Sequence, residues 1–172
     1  MPTTAPFGPQ TRAFLDLVAW SEGTSSHPET RHDGYDVIVS GVDGLHTFDN
    51  FACHPFSLGR APILVRPGPP PLHSTASGRY QIILPTWLVL ADKHRIGSFI
   101  PANQDLAALY LLEESGVLAP LLYGDYAEAI ERTSNIWASF PGNLFHQGGH
   151  SMLTLIDNYK RLLAIAKSQP QR

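Results

Sequence analysis

Ala13-Phe-Leu-Asp-Leu-Val-Ala-Trp-Ser-Glu-Gly-Thr24 is the stretch from which the fold is read. Phe14, Leu17, Val18 and Ser21 recur at the i, i+3, i+4, i+7 spacing of one helix face, with Ala13 and Trp20 flanking it. Gly23 is the expected stop, because glycine takes the left-handed conformation that closes a helix. Glu22 then sits in the last turn beside a bulky aromatic residue. The negative end of the helix dipole disfavours the charged form of a carboxyl placed there. Partial burial disfavours it further. Both effects raise the pKa, as a general acid working near neutral pH requires. Taken alone, the stretch also accommodates a surface glutamate in a frayed last turn.

Outward from this helix, residues 1–9 read as a loose arm rich in Pro, Thr and Gly, with Thr11 as an N-cap. Residues 10–172 read as one domain, long enough for a hydrophobic core. After Glu22 a polar loop leads to Tyr35-Asp-Val-Ile-Val39, then a Gly-containing turn, Ser40–Gly44, then Leu45-His-Thr-Phe48. Two short β-prone runs about such a turn predict a hairpin. Asp49 to His73 reads as irregular, and Arg66-Pro-Gly-Pro-Pro-Pro-Leu72 as a stiff surface loop of polyproline character. The remainder reads as helices. They cover Pro85 to about His94, Gln104–Ser115, Val117–Tyr123, Tyr126 to about Thr133 capped by Asp125, and Ser151–Lys167. The last carries Met152, Leu155, Ile156, Tyr159, Leu162 and Leu163 on one stripe. The expected class is α+β, a helical body with a small β-hairpin lobe.

Composition narrows the function. The hydrophobic fraction is 43%, only 16% of residues are charged, and the net charge is −3. With no basic patch, a nucleic-acid partner is not expected. The single cysteine, Cys53, allows no internal disulfide. The first nine residues lack the pattern of a signal peptide, and no run approaches the roughly 20 apolar residues that span a bilayer. Eight histidines include His146 and His150 at i, i+4, but the two glycines between them argue against a helical metal site. Cys53-His54 has no supporting pattern for a cysteine nucleophile, and no Gly-rich phosphate loop is present. No metal and no cofactor are expected. The carboxylates fit better. A glycosidase needs a protonated acid, usually with a second carboxylate about 5–10 Å away. Asp36, at the start of the first strand, is the best-placed partner for Glu22; its other reading is structural, bonding loop amides.

Five segments, in order, resemble the phage lambda-type endolysins, lytic transglycosylases that cleave peptidoglycan. They are Arg12–Thr24, Gly34-Tyr-Asp-Val-Ile-Val39, His54-Pro55, Ser74-Thr75 with Gly78-Arg-Tyr-Gln81, and Ser134-Asn-Ile-Trp-Ala-Ser-Phe-Pro-Gly142. The resemblance spans about residue 12 to 160. It implies a lysozyme-like fold with a saccharide cleft between a β-lobe and a helical lobe, and it makes Glu22 the catalytic acid. Tyr80-Gln81 is similar to the aromatic–Gln element lining the sugar cleft of lytic transglycosylases. On this reading Tyr35, Ser77, Tyr80, Gln81, Asn135 and Trp137 contact sugar through aromatic faces and amides. Their other reading is core aromatics and turn or cap residues. The segment between His54-Pro55 and Ser74 departs from the family type in being longer and richer in proline, as a changed lip over the cleft would be.

The resemblance further implies peptidoglycan glycan strands as the partner, a monomer without stable membrane insertion, and storage in the host cytoplasm until a holin gives access to the wall. A hydrolytic muramidase on the same fold is the nearest rival, with Asp36 or another aspartate positioning water. A non-catalytic peptidoglycan-binding or tail module is the rival of another class.

Overall fold

The opening helix forms as its periodicity predicts, and it runs further at its N-terminus. In the computed structural model, which describes residues 8–142 and 149–168, α1 covers Pro9–Ser21. Gly8 occupies the N-cap position without a side-chain bond, and proline begins the helix. Proline suits that place, since its missing N–H would have no partner in the first turn. Thr11 therefore lies inside the helix rather than capping it, and Pro9 belongs to α1 rather than to an arm. At the other end Glu22 is the C-cap residue, and Gly23 follows with φ +73°.

The remaining elements follow as a 3-10 turn at Thr24–Ser26, strands β1 (Val37–Gly41), β2 (Gly44–Thr47), β3 (Ile63–Arg66) and β4 (Leu72–Ser74), and five helices. The helices are α2 (Leu84–His94), α3 (Pro101–Glu114), α4 (Leu118–Tyr123), α5 (Tyr126–Thr133) and α6 (Met152–Ser168). The chain divides into two compact units, one of residues 1–23 with 108–172, the other of residues 24–107, with the division falling inside α3.

In the unit that joins the two chain ends, α1 packs chiefly on α6 and also on α4, and α5 packs on α4 and α6. Its core is aromatic. Phe14 meets the edges of Phe140 and Tyr159 at ring separations of 6.0 and 6.1 Å, and Trp137 tilts on Phe140 at 5.9 Å. The apolar stripe expected on α6 is buried at Leu155, Tyr159 and Leu163, joined by Ala166. Asp125 caps α5, its carboxylate accepting from the Glu128 N–H at 3.2 Å.

In the other unit β1 and β2 pair antiparallel, with Val37 opposite Thr47 and Ile38 opposite His46. A second hairpin, β3 with β4, was not expected from sequence: Ile63 lies opposite Ser74 and Leu64 opposite His73. The stretch 49–73 is therefore only partly irregular, and the prolines form the connection between two paired strands. The Val42 N–H donates to the Leu64 carbonyl at 2.9 Å, tying the hairpins together. Residues 76–78 run beside β1, with the Val39 N–H on the Ala76 carbonyl at 3.0 Å and the Gly78 N–H on the Val37 carbonyl at 2.7 Å. Gly78 has φ +76°, and a Cβ there would drive into the buried Gln104 side chain. That combination is why glycine begins Gly78-Arg-Tyr-Gln81. Behind this sheet Trp87 and His54 each approach the Phe99 ring at 4.7 Å.

Candidate active site

Glu22 is held where a helix ends and a turn-rich segment returns. Its N–H closes α1 on the Val18 carbonyl at 2.9 Å. The segment after α5 winds back through turns, the Trp137 N–H bonding the Thr133 carbonyl at 3.2 Å and the Phe140 N–H the Trp137 carbonyl at 3.0 Å. With Trp137 and Phe140 anchored in the core, Ser139 is directed at Glu22. The Ser139 hydroxyl donates to Glu22 Oε1 at 2.7 Å, and the Ser139 N–H approaches the same oxygen at 3.4 Å. Ser139 Oγ also lies 2.9 Å from Ser21 Oγ, and the Ser21 hydroxyl donates to the Val18 carbonyl at 2.9 Å. Trp20 stacks on the His150 ring at 4.4 Å, and the His150 N–H holds the Ser139 carbonyl at 3.0 Å.

The carboxyl of Glu22 is withdrawn from water, although the residue as a whole is only half-buried. Burial pushes its pKa above the usual carboxylate range, and the two Ser139 donors pull the other way less strongly. Among the described residues no cation pairs with it to cancel the effect of burial. Such a group holds its proton toward neutral pH and still has a donor ready for its anion.

The other predicted residues are placed differently. Asp36 is buried, and its two oxygens accept from the Thr30 hydroxyl and, at 2.9 Å, from the Arg31 N–H. Those are the contacts of a loop brace. Tyr35 and Tyr80 were expected at sugar rings, but they are core residues, 2% and 0% exposed. Both hydroxyls donate to Asp105 Oδ1 at 2.6 Å, and the rings meet edge-on at 6.3 Å. Neither ring has a face to offer a saccharide. Burial and the Asp105 charge push both phenols far above their usual range.

Arg79, buried in the same cluster, lies over the Tyr35 ring at 5.3 Å and pairs with Asp33 at 3.0 Å. Ser77 is also buried, its hydroxyl on the Thr75 carbonyl at 3.1 Å, which corrects its reading as a sugar contact. Trp137 is a core residue at 2% exposure. Gln81 is partly exposed at φ +49°, its amide donating to the Gly78 carbonyl at 3.0 Å, and Asn135 is exposed. Those two remain sterically able to meet a ligand.

Sequence reading missed Ser139, Ser21 and Asp105. The two serines act through a contact spanning 118 positions, which no local pattern encodes. Asp105 did leave a signal, because it shares a helix face with Ala108 and Leu112, where a carboxylate needs buried donors. His54, part of a motif quoted above, is fully buried with Nε2 3.0 Å from the Ile82 carbonyl, and burial lowers its pKa. The pair His146/His150 cannot be compared, since His146 lies outside the described residues. Among the described residues no group of three potential metal ligands gathers.

Comparison with known proteins gives consistent matches. The Endolysin family matches residues 12–165. The chain is 43% identical to the endolysin of Escherichia phage P2 over 146 residues, covering 84% of this chain and 87% of that protein. It is 40% identical to the endolysin of Escherichia phage lambda over 152 residues, covering 88% and 89%. Among solved structures, bacteriophage lambda lysozyme complexed with a chitohexasaccharide superposes with a TM-score of 0.80 at 38% identity, covering 92% of this chain and 97% of that one. A second lambda lysozyme structure gives 0.75 at 36% identity over the same shares.

Proposed function

This chain belongs to the endolysin family and has the lysozyme-like fold, and we propose that it cleaves the β-1,4 bond between N-acetylmuramic acid and N-acetylglucosamine in peptidoglycan as a lytic transglycosylase. A glycan substrate is supported by the oligosaccharide bound to the lambda relative. The observation that carries the mechanism is the desolvated carboxyl of Glu22, whose raised pKa arises from burial and whose bonds come from Ser139.

Neutral Glu22 donates its proton to the glycosidic oxygen as the bond to C1 breaks, and positive charge spreads over C1 and the ring oxygen. The resulting carboxylate takes the proton of the muramoyl C6 hydroxyl, which closes on C1. The product is a 1,6-anhydro sugar, and Glu22 is again protonated. The attacking hydroxyl is tethered to the sugar, so neither water nor an enzyme nucleophile is needed. A hydrolase would require a second carboxylate to activate water or attack C1. The engagement of both Asp36 oxygens by Thr30 and Arg31 favours the one-carboxyl route.

Mass spectrometry of muropeptides released from purified peptidoglycan tests the reaction. The expected fragments end in 1,6-anhydro-muramic acid, one water lighter than reducing ends. Reducing muramic ends would establish hydrolysis instead, and no release would point to a binding or tail module. The proposal extends to biology: a monomeric enzyme held in the host cytoplasm that reaches the wall through a holin lesion. Lysis of expressing cells only after the membrane is permeabilised is the expected result.

A further inference from the structure

We infer that Ser139 and Ser21 form a hydroxyl switch on Glu22: the Ser139 O–H is given to Ser21 while Glu22 holds its proton, and to Glu22 once that proton has left. This deepens, and rests on, the reading of Glu22 as the acid of the reaction. Ser139 Oγ lies 2.7 Å from Glu22 Oε1 and 2.9 Å from Ser21 Oγ. A serine hydroxyl carries one proton and can donate to only one of them at a time. The Ser21 proton is directed at the Val18 carbonyl, 2.9 Å away, so Ser21 meets Ser139 as an acceptor. Two acceptors therefore compete for a single proton.

With neutral Glu22 protonated on Oε1, the bonds run one way. Glu22 donates to Ser139, Ser139 to Ser21, and Ser21 to the Val18 carbonyl, so that each hydroxyl donates once and accepts once. When Glu22 protonates the leaving oxygen, the Ser139 O–H turns onto the new carboxylate, and the Ser139 N–H at 3.4 Å assists. That bond is charge-assisted and stronger than the one it replaces. Two torsions rotate, that of the Glu22 carboxyl O–H from Ser139 to the leaving oxygen and that of the Ser139 O–H from Ser21 to the new carboxylate. Ser21 thus favours the acid form of Glu22 and Ser139 the base form, and both are positioning residues.

Among the described residues of the same unit, few charges could produce the same effect. Segment 134–142 has no ionisable side chain, and the only one on α4 is the exposed Tyr123. On α6, Asp157, Lys160, Arg161 and Lys167 are exposed. On α1, Arg12 bonds the Ala166 carbonyl, and Asp16 lies more than a turn before Glu22. His150 stacks on Trp20. None of these contributes to the displacement of Glu22 from its ordinary titration range.

Carboxyl NMR of the full chain, labelled with 13C-glutamate, reads the switch without substrate, the Glu22 signal being assigned by its loss in Glu22→Gln. Ser139→Ala is expected to raise the Glu22 midpoint by about one pH unit, the worth of one hydrogen bond to a charged group. Ser21→Ala is expected to lower it by about half a unit, since the competing acceptor is gone. The alkaline limb of the pH–rate profile for glycan cleavage moves with each. His150→Gln leaves the midpoint in place. Shifts of one sign in both serine variants, no shift in either, or a His150→Gln shift as large as that of Ser139→Ala would each overturn the switch. Near-wild-type cleavage by Glu22→Gln would instead refute the acid reading, and the NMR midpoints would still report on the hydroxyls.

Discussion

Consider the Tyr80→Phe variant. The substitution keeps the ring and removes one hydroxyl, which donates to Asp105 Oδ1 at 2.6 Å in a site with no solvent exposure. A hydrogen bond to a charged group contributes about 1.5–3 kcal/mol, so a loss of about 2 kcal/mol is expected. At this chain length, each kcal/mol shifts the melting temperature by roughly 2–4 °C, which places Tyr80→Phe about 4–8 °C below wild type. Asp105→Ala removes the acceptor shared with Tyr35 and leaves two phenols in a dry site that have lost their charged partner. Its expected cost is about 4 kcal/mol, roughly 8–16 °C. Thermal unfolding measures both, and urea unfolding at unchanged slope checks that the unfolded state is the same. In parallel, KM for glycan strands at a temperature where each variant is folded is expected to stay within about twofold of wild type. An unchanged melting temperature together with a severalfold rise in KM would refute the argument, because Tyr80 would then be touching sugar rather than bracing the core.

Two other perturbations probe the site and its frame. Glu22→Gln is expected to cut lysis by at least about 100-fold while the protein stays folded, as loss of a general acid does. The raised Glu22 pKa also fixes the sign of a pH effect. The folded state binds more protons than the unfolded state between the ordinary and the raised pKa, so wild-type stability falls as pH rises through that window. The melting-temperature advantage of Glu22→Gln should therefore be larger at pH 8 than at pH 4, and a constant gap would argue against a desolvated carboxyl. Gly78→Ala puts a Cβ at φ +76° against Gln104 and should destabilise by about 2–4 kcal/mol, read as a fall in urea midpoint; a neutral effect would mean the turn relaxes freely.

The elements that could be read from the chain are those whose signal is local. The α1 face, the stop at Gly23, the Asp125 cap and the α6 stripe each depend on residues within a turn or two, and they form with small boundary shifts. The first hairpin was legible because its turn and strands are contiguous. The second was hidden because its short strands flank a proline loop, and pairing across such a loop depends on partners elsewhere, here the Val42–Leu64 bond. Proline forbids ladder bonds only at its own position, so a proline run does not exclude strands at its ends.

The roles of side chains divide along the same line. That a glutamate ends a buried helix could be read from neighbouring residues alone, because helix periodicity and a glycine stop are local properties. Local spacing could not tell a tyrosine on a sugar from a tyrosine in a core, since both readings demand the same aromatic residue. It took the folded chain to turn Tyr35 and Tyr80 inward to Asp105, to set Asp36 against its own loop, and to bring Ser139 to Glu22 from 117 residues away. Desolvation is the cause. A carboxyl's proton affinity depends on what excludes water from it and which donors reach it, and a folded chain draws those groups from anywhere along its length.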